Sequence, residues 1–169
     1  MIHQHRYFIL VLMLTLLLPA LPAVTAEDAR ISDLSFLDRQ YMAQQRELLG
    51  DLAARKLGRQ FSGDRDNDLE ILQQLLDRRL VRSDQTQELQ AMGIIMGDLL
   101  ASDLDMHWVV YEDKLGRSRA LRYRQTDEYL FPVTMISRRR EVGNETPVAT
   151  IYQKAVDTIT PLLPTQPYQ

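Results

Sequence analysis

At Met106 the hydrophobic period of the chain changes, and that change constrains the fold more than any other feature of the sequence. Upstream, apolar residues recur at the three- and four-residue spacing of a helix; downstream they alternate, as in a strand with one covered face. Leu34, Leu37, Tyr41, Leu48 and Leu52 predict a first amphipathic helix, with Asp33 or Ser35 to cap it and Gly58 to stop it. The polar stretch Arg59 to Asp68 carries turn chemistry. A second helix is then predicted on the stripe Leu69, Leu72, Leu76 and Leu80, with Asn67 and Glu70 at the spacing of a capping box. A third begins after Ser83 or Asp84 and carries Leu89, Met92, Met96 and Leu100.

Beyond the switch, Met106 to Glu112, Arg117 to Arg124 and Tyr129 to Ser137 read as three strands. Asp113 and Gly116 bracket a tight turn, which makes the first two strands an antiparallel hairpin. Pro132 has no amide proton for a ladder, so the third strand must lie at an edge or begin properly after it. Thr146 and Pro147 open a last helix carrying Val148, Ile151, Tyr152, Ala155, Ile159 and Leu162, closed by Pro161 and Pro164. Helices segregated from an antiparallel meander define an α+β fold: amino-terminal helices, a three-stranded meander, then a carboxy-terminal helix.

Inside the third helix, Gly93 and Gly97 lie one turn apart, although a helical glycine costs about 1 kcal/mol against alanine. Their spacing predicts that another backbone or the sheet approaches that face closely.

The first residues read as an export signal: Arg6 supplies positive charge, Phe8 to Leu18 form an apolar run, and Pro19 and Pro22 precede the small residues Val24 and Ala26. Cleavage near Ala26 would release a periplasmic or secreted chain with no membrane span, because two prolines interrupt the ~20 apolar residues a span needs. With no cysteine in the sequence, lipid attachment, disulfides, thiolate nucleophiles and sulfur-based zinc sites are excluded. The remaining ~140 residues suffice for one core that buries roughly two-thirds of the unfolded surface. The expected organisation is a signal over 1–26, a helix and linker over 27–68, an α+β domain over 69–163 and a loose tail over 164–169. A formal charge of -3 argues against general binding of nucleic acid or anionic membrane.

One stretch is similar to a known family. Leu89-Gln-Ala-Met-Gly93-Ile-Ile-Met-Gly97-Asp-Leu-Leu, then Met106-His-Trp108-Val-Val-Tyr-Glu-Asp113, Gly116, Ala120-Leu121-Arg122 and Leu130-Phe131-Pro132-Val133, resembles an uncharacterised bacterial family, the domain of unknown function 3806. The resemblance implies export, bacterial origin and a compact domain, and brings no catalytic residues with it.

The chemistry narrows by elimination. Once His3 and His5 leave with the signal, His107 is the sole histidine, too few for a zinc site of the usual kind. A serine nucleophile would need His107 as its base, yet no Gly-x-Ser-x-Gly elbow is present. Asp64, Asp66 and Asp68 have the alternating spacing of a calcium loop, but Leu69 and Leu75 stand where the turn glycine and bidentate glutamate belong, so helix capping is the better account. No metal or cofactor is called for. Asp103, Asp105 and Glu112 are the carboxylates that a cell-wall hydrolase could use.

Seven arginines crowd the strands and their exit: Arg117, Arg119, Arg122, Arg124, Arg138, Arg139 and Arg140. Alternation puts Arg117 and Arg119 on one face and Arg122 and Arg124 on the other, so cross-strand pairing with Glu112, Asp113, Asp127, Glu128 and Glu141 is the plain expectation. The sharper one takes Arg138, Arg139 and Arg140 as a binding edge for an envelope protein or an anionic surface component, with Trp108 and His107 as further candidates. A non-catalytic envelope module is thus the preferred reading, and a carboxylate hydrolase the alternative.

Overall fold

The computed structural model describes residues 29–163, so the expected signal over 1–26 and tail over 164–169 lie outside the described residues. A short strand β1 (Arg30–Asp33) is followed by helices α1 (Phe36–Leu57), α2 (Arg65–Asp77) and α3 (Thr86–Asp103). The hairpin β2 (Met106–Asp113) and β3 (Gly116–Tyr123) comes next, then β4 (Tyr129–Leu130), a 3-10 turn (Pro132–Thr134), the short α4 (Ser137–Glu141) and α5 (Val148–Ile159). The strands form one antiparallel sheet in the order β1-β2-β3-β4, so the fold is α+β, with four strands rather than three.

The helices start and stop for local reasons. Ser35 caps α1 in a reciprocal box, its hydroxyl accepting from the Asp38 amide at 3.1 Å while the Asp38 carboxylate accepts from the Ser35 amide at 3.0 Å. Gly58 ends it at φ 64°, a left-handed position that glycine takes at no steric cost. The cap of α2 is Asp64, which accepts from the Asn67 amide at 2.8 Å, not Asn67 as the sequence spacing suggested. Asn67 instead reaches back along the preceding loop, donating to the Gln60 carbonyl at 3.1 Å and the Ser62 hydroxyl at 3.2 Å.

The buried stripe of α1 is also rotated from the predicted one. Asp38, Met42, Gln45, Leu49 and Ala53 face inward, whereas Leu37 is 72% exposed and Leu48 is 38% exposed. Two polar residues therefore sit on the core face, where a hydrophobicity pattern does not look for them. The stripes of α2, α3 and α5 agree with expectation except at two ends: Leu69, Leu72 and Leu76, then Leu89, Met92, Met96 and Leu100, and finally Val148, Ile151, Tyr152, Ala155 and Ile159 are all buried in one cluster, whereas Leu80 lies past the end of α2 and Leu162, past the end of α5, is exposed. The same cluster takes in Met106, Leu121, Tyr123 and Leu130 from the sheet.

Register assigns the faces of the sheet. Met106, Trp108 and Val110 share a face with their partners Tyr123, Leu121 and Arg119, and this face lies under the helices. His107, Val109 and Tyr111, opposite Arg122, Ala120 and Ser118, form the outer face. Gly93 and Gly97 explain themselves here. A Cβ on Gly93 would come within 2.5 Å of the Pro132 carbonyl oxygen, and one on Gly97 would run into the ring of Trp108. Packing against the 3-10 turn and the sheet accounts for both glycines.

The third predicted strand is the main correction. Only Tyr129 and Leu130 pair with β3; Pro132 then opens the 3-10 turn against α3 and the chain leaves the sheet. A residue without an amide proton ends a ladder and suits the first turn of a helix, so Pro132 diverts the chain where alternation alone would extend it. Ser137 to Glu141 is consequently helical.

Candidate functional site

The side chains predicted to form an arginine edge are separated by α4. Arg138 is exposed and makes no hydrogen bond or ion pair among the described residues. Arg139 turns back and donates to the Met135 carbonyl at 2.5 Å. Arg140 donates weakly to the Thr146 carbonyl at 3.4 Å, and its Nε is buried without a partner among the described residues. The helical turn thus sends Arg138 and Arg140 into different clefts, while Arg139 braces its own segment.

The cleft on the Arg140 side, about 760 Å³, is lined by Arg79, Arg82 and Arg140 together with Asp77, Glu141 and Glu145. Three cations and three anions leave it no net sign. A second cleft, about 620 Å³, lies between α1, the loop after it and α3. There Arg46 grips Asp98 through two bonds, at 2.7 and 2.8 Å, and Asp98 also accepts from the Trp108 indole at 3.0 Å. The bond to Asp98 raises the Arg46 pKa and keeps the guanidinium charged. Trp108 is therefore held between Asp98 and Gly97 and works as a packing residue, whereas His107 stands exposed on the outer face.

The cleft on the Arg138 side is different in kind. About 580 Å³ in volume, it runs along β3 from Leu115 and Gly116 past Arg117, Ser118 and Arg119, with Phe131, Val133, Thr134 and Arg138 on its far wall. Tyr111 closes its outer side, edge-on to Tyr129 and Phe131 at ring separations of 5.1 and 5.2 Å.

The charges beside this cleft are organised by a residue the sequence reading missed. Asp38 is only 2% exposed and accepts from Arg117 at 3.0 and 2.6 Å and from Arg119 at 3.1 Å, as well as from Ser35. Arg119 also lies over the Tyr41 ring, 4.4 Å from its centroid. The Arg117 bond, then those from Ser35, outweigh burial and hold the Asp38 carboxyl well below the usual carboxylate range. The expected cross-strand partners of these arginines are replaced by an acid from α1. The signal available in the sequence was the capping box itself: a Ser35-x-x-Asp38 pair places an acid one turn into the helix, at the hairpin's end of the sheet.

The remaining candidates are dispersed. Arg122 donates to the Thr126 carbonyl at 2.6 Å, Arg124 meets Asp105 at 3.3 Å, and Asp103 accepts from the Tyr152 hydroxyl at 2.5 Å with Arg65 at 3.7 Å. Burial and the Asp103 bond raise the Tyr152 pKa, which keeps that hydroxyl a donor. Asp103, Asp105 and Glu112 line none of the three clefts. Asp64 is a helix cap and Asp68 accepts from the Ser62 and Gly63 amides, both at 2.9 Å, so these two acids are spent on backbone, while Asp66 meets the Arg65 side chain at 3.2 Å. Among the described residues no group of three acidic or imidazole side chains is placed to hold a metal ion, and no helix is long and apolar enough to cross a membrane.

A helical layer packed on a small antiparallel sheet, with an aromatic and arginine-lined cleft at the sheet's far edge, defines an α+β domain. The chain belongs to the family described as domain of unknown function DUF3806, whose model matches residues 68–152, half of the sequence. The chain is also similar to a protein from Bacteroides thetaiotaomicron of known crystal structure, with a TM-score of 0.70 and 21% identity, over 79% of this chain and 49% of that one. That likeness bears on the fold, and the chain spans about half of that protein's length. None of the curated proteins matches the chain.

Proposed function

We propose that this chain is an exported, non-catalytic module of the bacterial envelope that recognises a partner through the cleft beside Arg138. The observation that carries the reading is the cleft's chemistry: an exposed guanidinium with no partner among the described residues stands across from β3, above the apolar wall of Tyr111 and Phe131. An unpaired guanidinium at the mouth of a groove suits a carboxylate or phosphate, because its fork of donors meets two oxygens together. Export rests on the charge, apolar run and small residues of the first 26 positions, and makes the periplasm or the exterior the place of action.

The test is to incubate the protein recovered from the envelope, and its Arg138→Ala variant, with envelope extract at low and moderate salt. A partner retained by the parent and lost by the variant is the expected result. Equal retention by both, or none by either, would count against the reading. The single substitution is preferable to a triple one, because Arg139 and Arg140 bind backbone carbonyls and their loss would loosen the segment itself. Amino-terminal sequencing of the recovered protein should begin near Glu27; an intact Met1 would contradict export by cleavage.

A further inference from the structure

β3 is paired along its whole length on one side and over two residues on the other. Its partner β2 runs from Met106 opposite Tyr123 to Asp113 opposite Gly116, whereas β4 meets only Leu121 and Arg122. The Tyr123 amide donates to the Glu128 carbonyl at 3.2 Å, on the β4 side. Because backbone groups alternate sides along a strand, Leu121, Arg119 and Arg117 point their amides and carbonyls the same way as Tyr123. Leu121 meets β4 there. Arg117 and Arg119 face the space that β4 leaves empty when Pro132 turns the chain toward α3. The open stretch Arg117 to Ala120 is about 13 Å long.

Exposed edges are ordinarily guarded by charged side chains, proline or a bulge. Here the guard is withdrawn. The side chains of Arg117 and Arg119 are drawn under the sheet to Asp38, and the chain bearing Pro132 has departed. What remains is a groove of about 580 Å³ beside backbone that is unpaired among the described residues, with Gln90 and Arg138 toward the helices and Tyr111 and Phe131 toward the outer face.

We infer that this edge receives an extended segment of a partner protein as an added strand, in which apolar and acidic side chains alternate. Backbone groups of the segment pair with Arg117 and Arg119. Its apolar residues lie against Tyr111 and Phe131, and an acidic one meets Arg138. Strand addition of this kind draws affinity from main-chain bonds and specificity from alternate side-chain pockets. The inference rests on the proposed reading as a binding module and specifies the ligand of the same cleft.

The probe is an acetylated, amidated Val-Glu-Val-Glu-Val peptide titrated into the 15N-labelled protein, with its backbone N-methylated form and a Val-Lys-Val-Lys-Val form as controls. The expected result is saturable binding that shifts the Arg117 and Arg119 amides and slows their exchange by about tenfold or more. Arg138→Ala should weaken it about tenfold, and both control peptides should lose it. No binding at millimolar peptide, binding that leaves those two amides unmoved, or equal binding of the N-methylated form would overturn strand addition. In those cases an Arg138-dependent partner from envelope extract would still uphold the module. Binding of the peptide with no such partner would uphold the edge and count against the envelope reading.

Discussion

Gly93 and Gly50 are both helical glycines, and the structure assigns them opposite roles. Around Gly93 the backbone carbonyls of Pro132 and Val133 occupy the place of a Cβ; around Gly50 nothing lies within 4 Å. Gly93→Ala should therefore destabilise the fold by about 1–3 kcal/mol, because backbone in a packed turn does not retreat as a flexible side chain would. Gly50→Ala should stabilise it by about 0.5–1 kcal/mol through helix propensity. Denaturant melts followed by the fluorescence of the single tryptophan, Trp108, would read both. Equal effects would contradict the packing described. The need for close approach at Gly93 and Gly97 was legible from their spacing in a helix. What approaches was not, since Pro132 and Trp108 arrive from elements that no local pattern ties to α3.

At the scale of elements, helices with apolar stripes were legible because their burial is set by a period of 3.6. The exceptions share a physical cause. The stripe of α1 was misplaced because Asp38 and Gln45 lie on its inner face, and partners distant in sequence make that burial tolerable. β1 was missed because Arg-Ile-Ser-Asp is short, polar and largely exposed, and is a strand only by pairing with β2. The cap of α2 fell on Asp64 rather than Asn67, and Asp64→Ala should accordingly cost about 1 kcal/mol of stability in the same melts; a change near zero would return the cap to Asn67.

The Asp38 bridge joins α1 to the hairpin and should make that junction acid-sensitive. Its folded pKa is depressed, so the stability it supplies is full above the ordinary aspartate value of ~3.9 and is lost progressively as pH falls through and below it. Asp38→Asn should cost on the order of 2–3 kcal/mol at neutral pH, below the ~3–5 of a fully buried pair because Arg117 is 44% exposed. It should also flatten the acid limb of the stability curve; an unchanged slope between pH ~5 and pH ~2 would deny the bridge its role.

For the molecule as a whole, one diversion of the chain links fold to proposed function. The close approach of the turn after Leu130 to Gly93 packs the helices on the sheet, and the same turn shortens β4 and leaves part of β3 open. Composition and motif searching could narrow the chemistry but not locate this edge, because it arises from a strand that stops early rather than from any residue type. Arg138 was singled out from the sequence for its charge; its separation from Arg139 and Arg140 follows from α4, which alternation had concealed. The most direct test is residue-resolved amide exchange in the free protein. The account predicts slow exchange at Ser118 and Ala120, which face β2, and fast exchange at Arg117 and Arg119, which face the cleft. Protection of Arg117 and Arg119 equal to that of their neighbours would mean that another segment or a second copy already closes the edge, and would contradict the central claim.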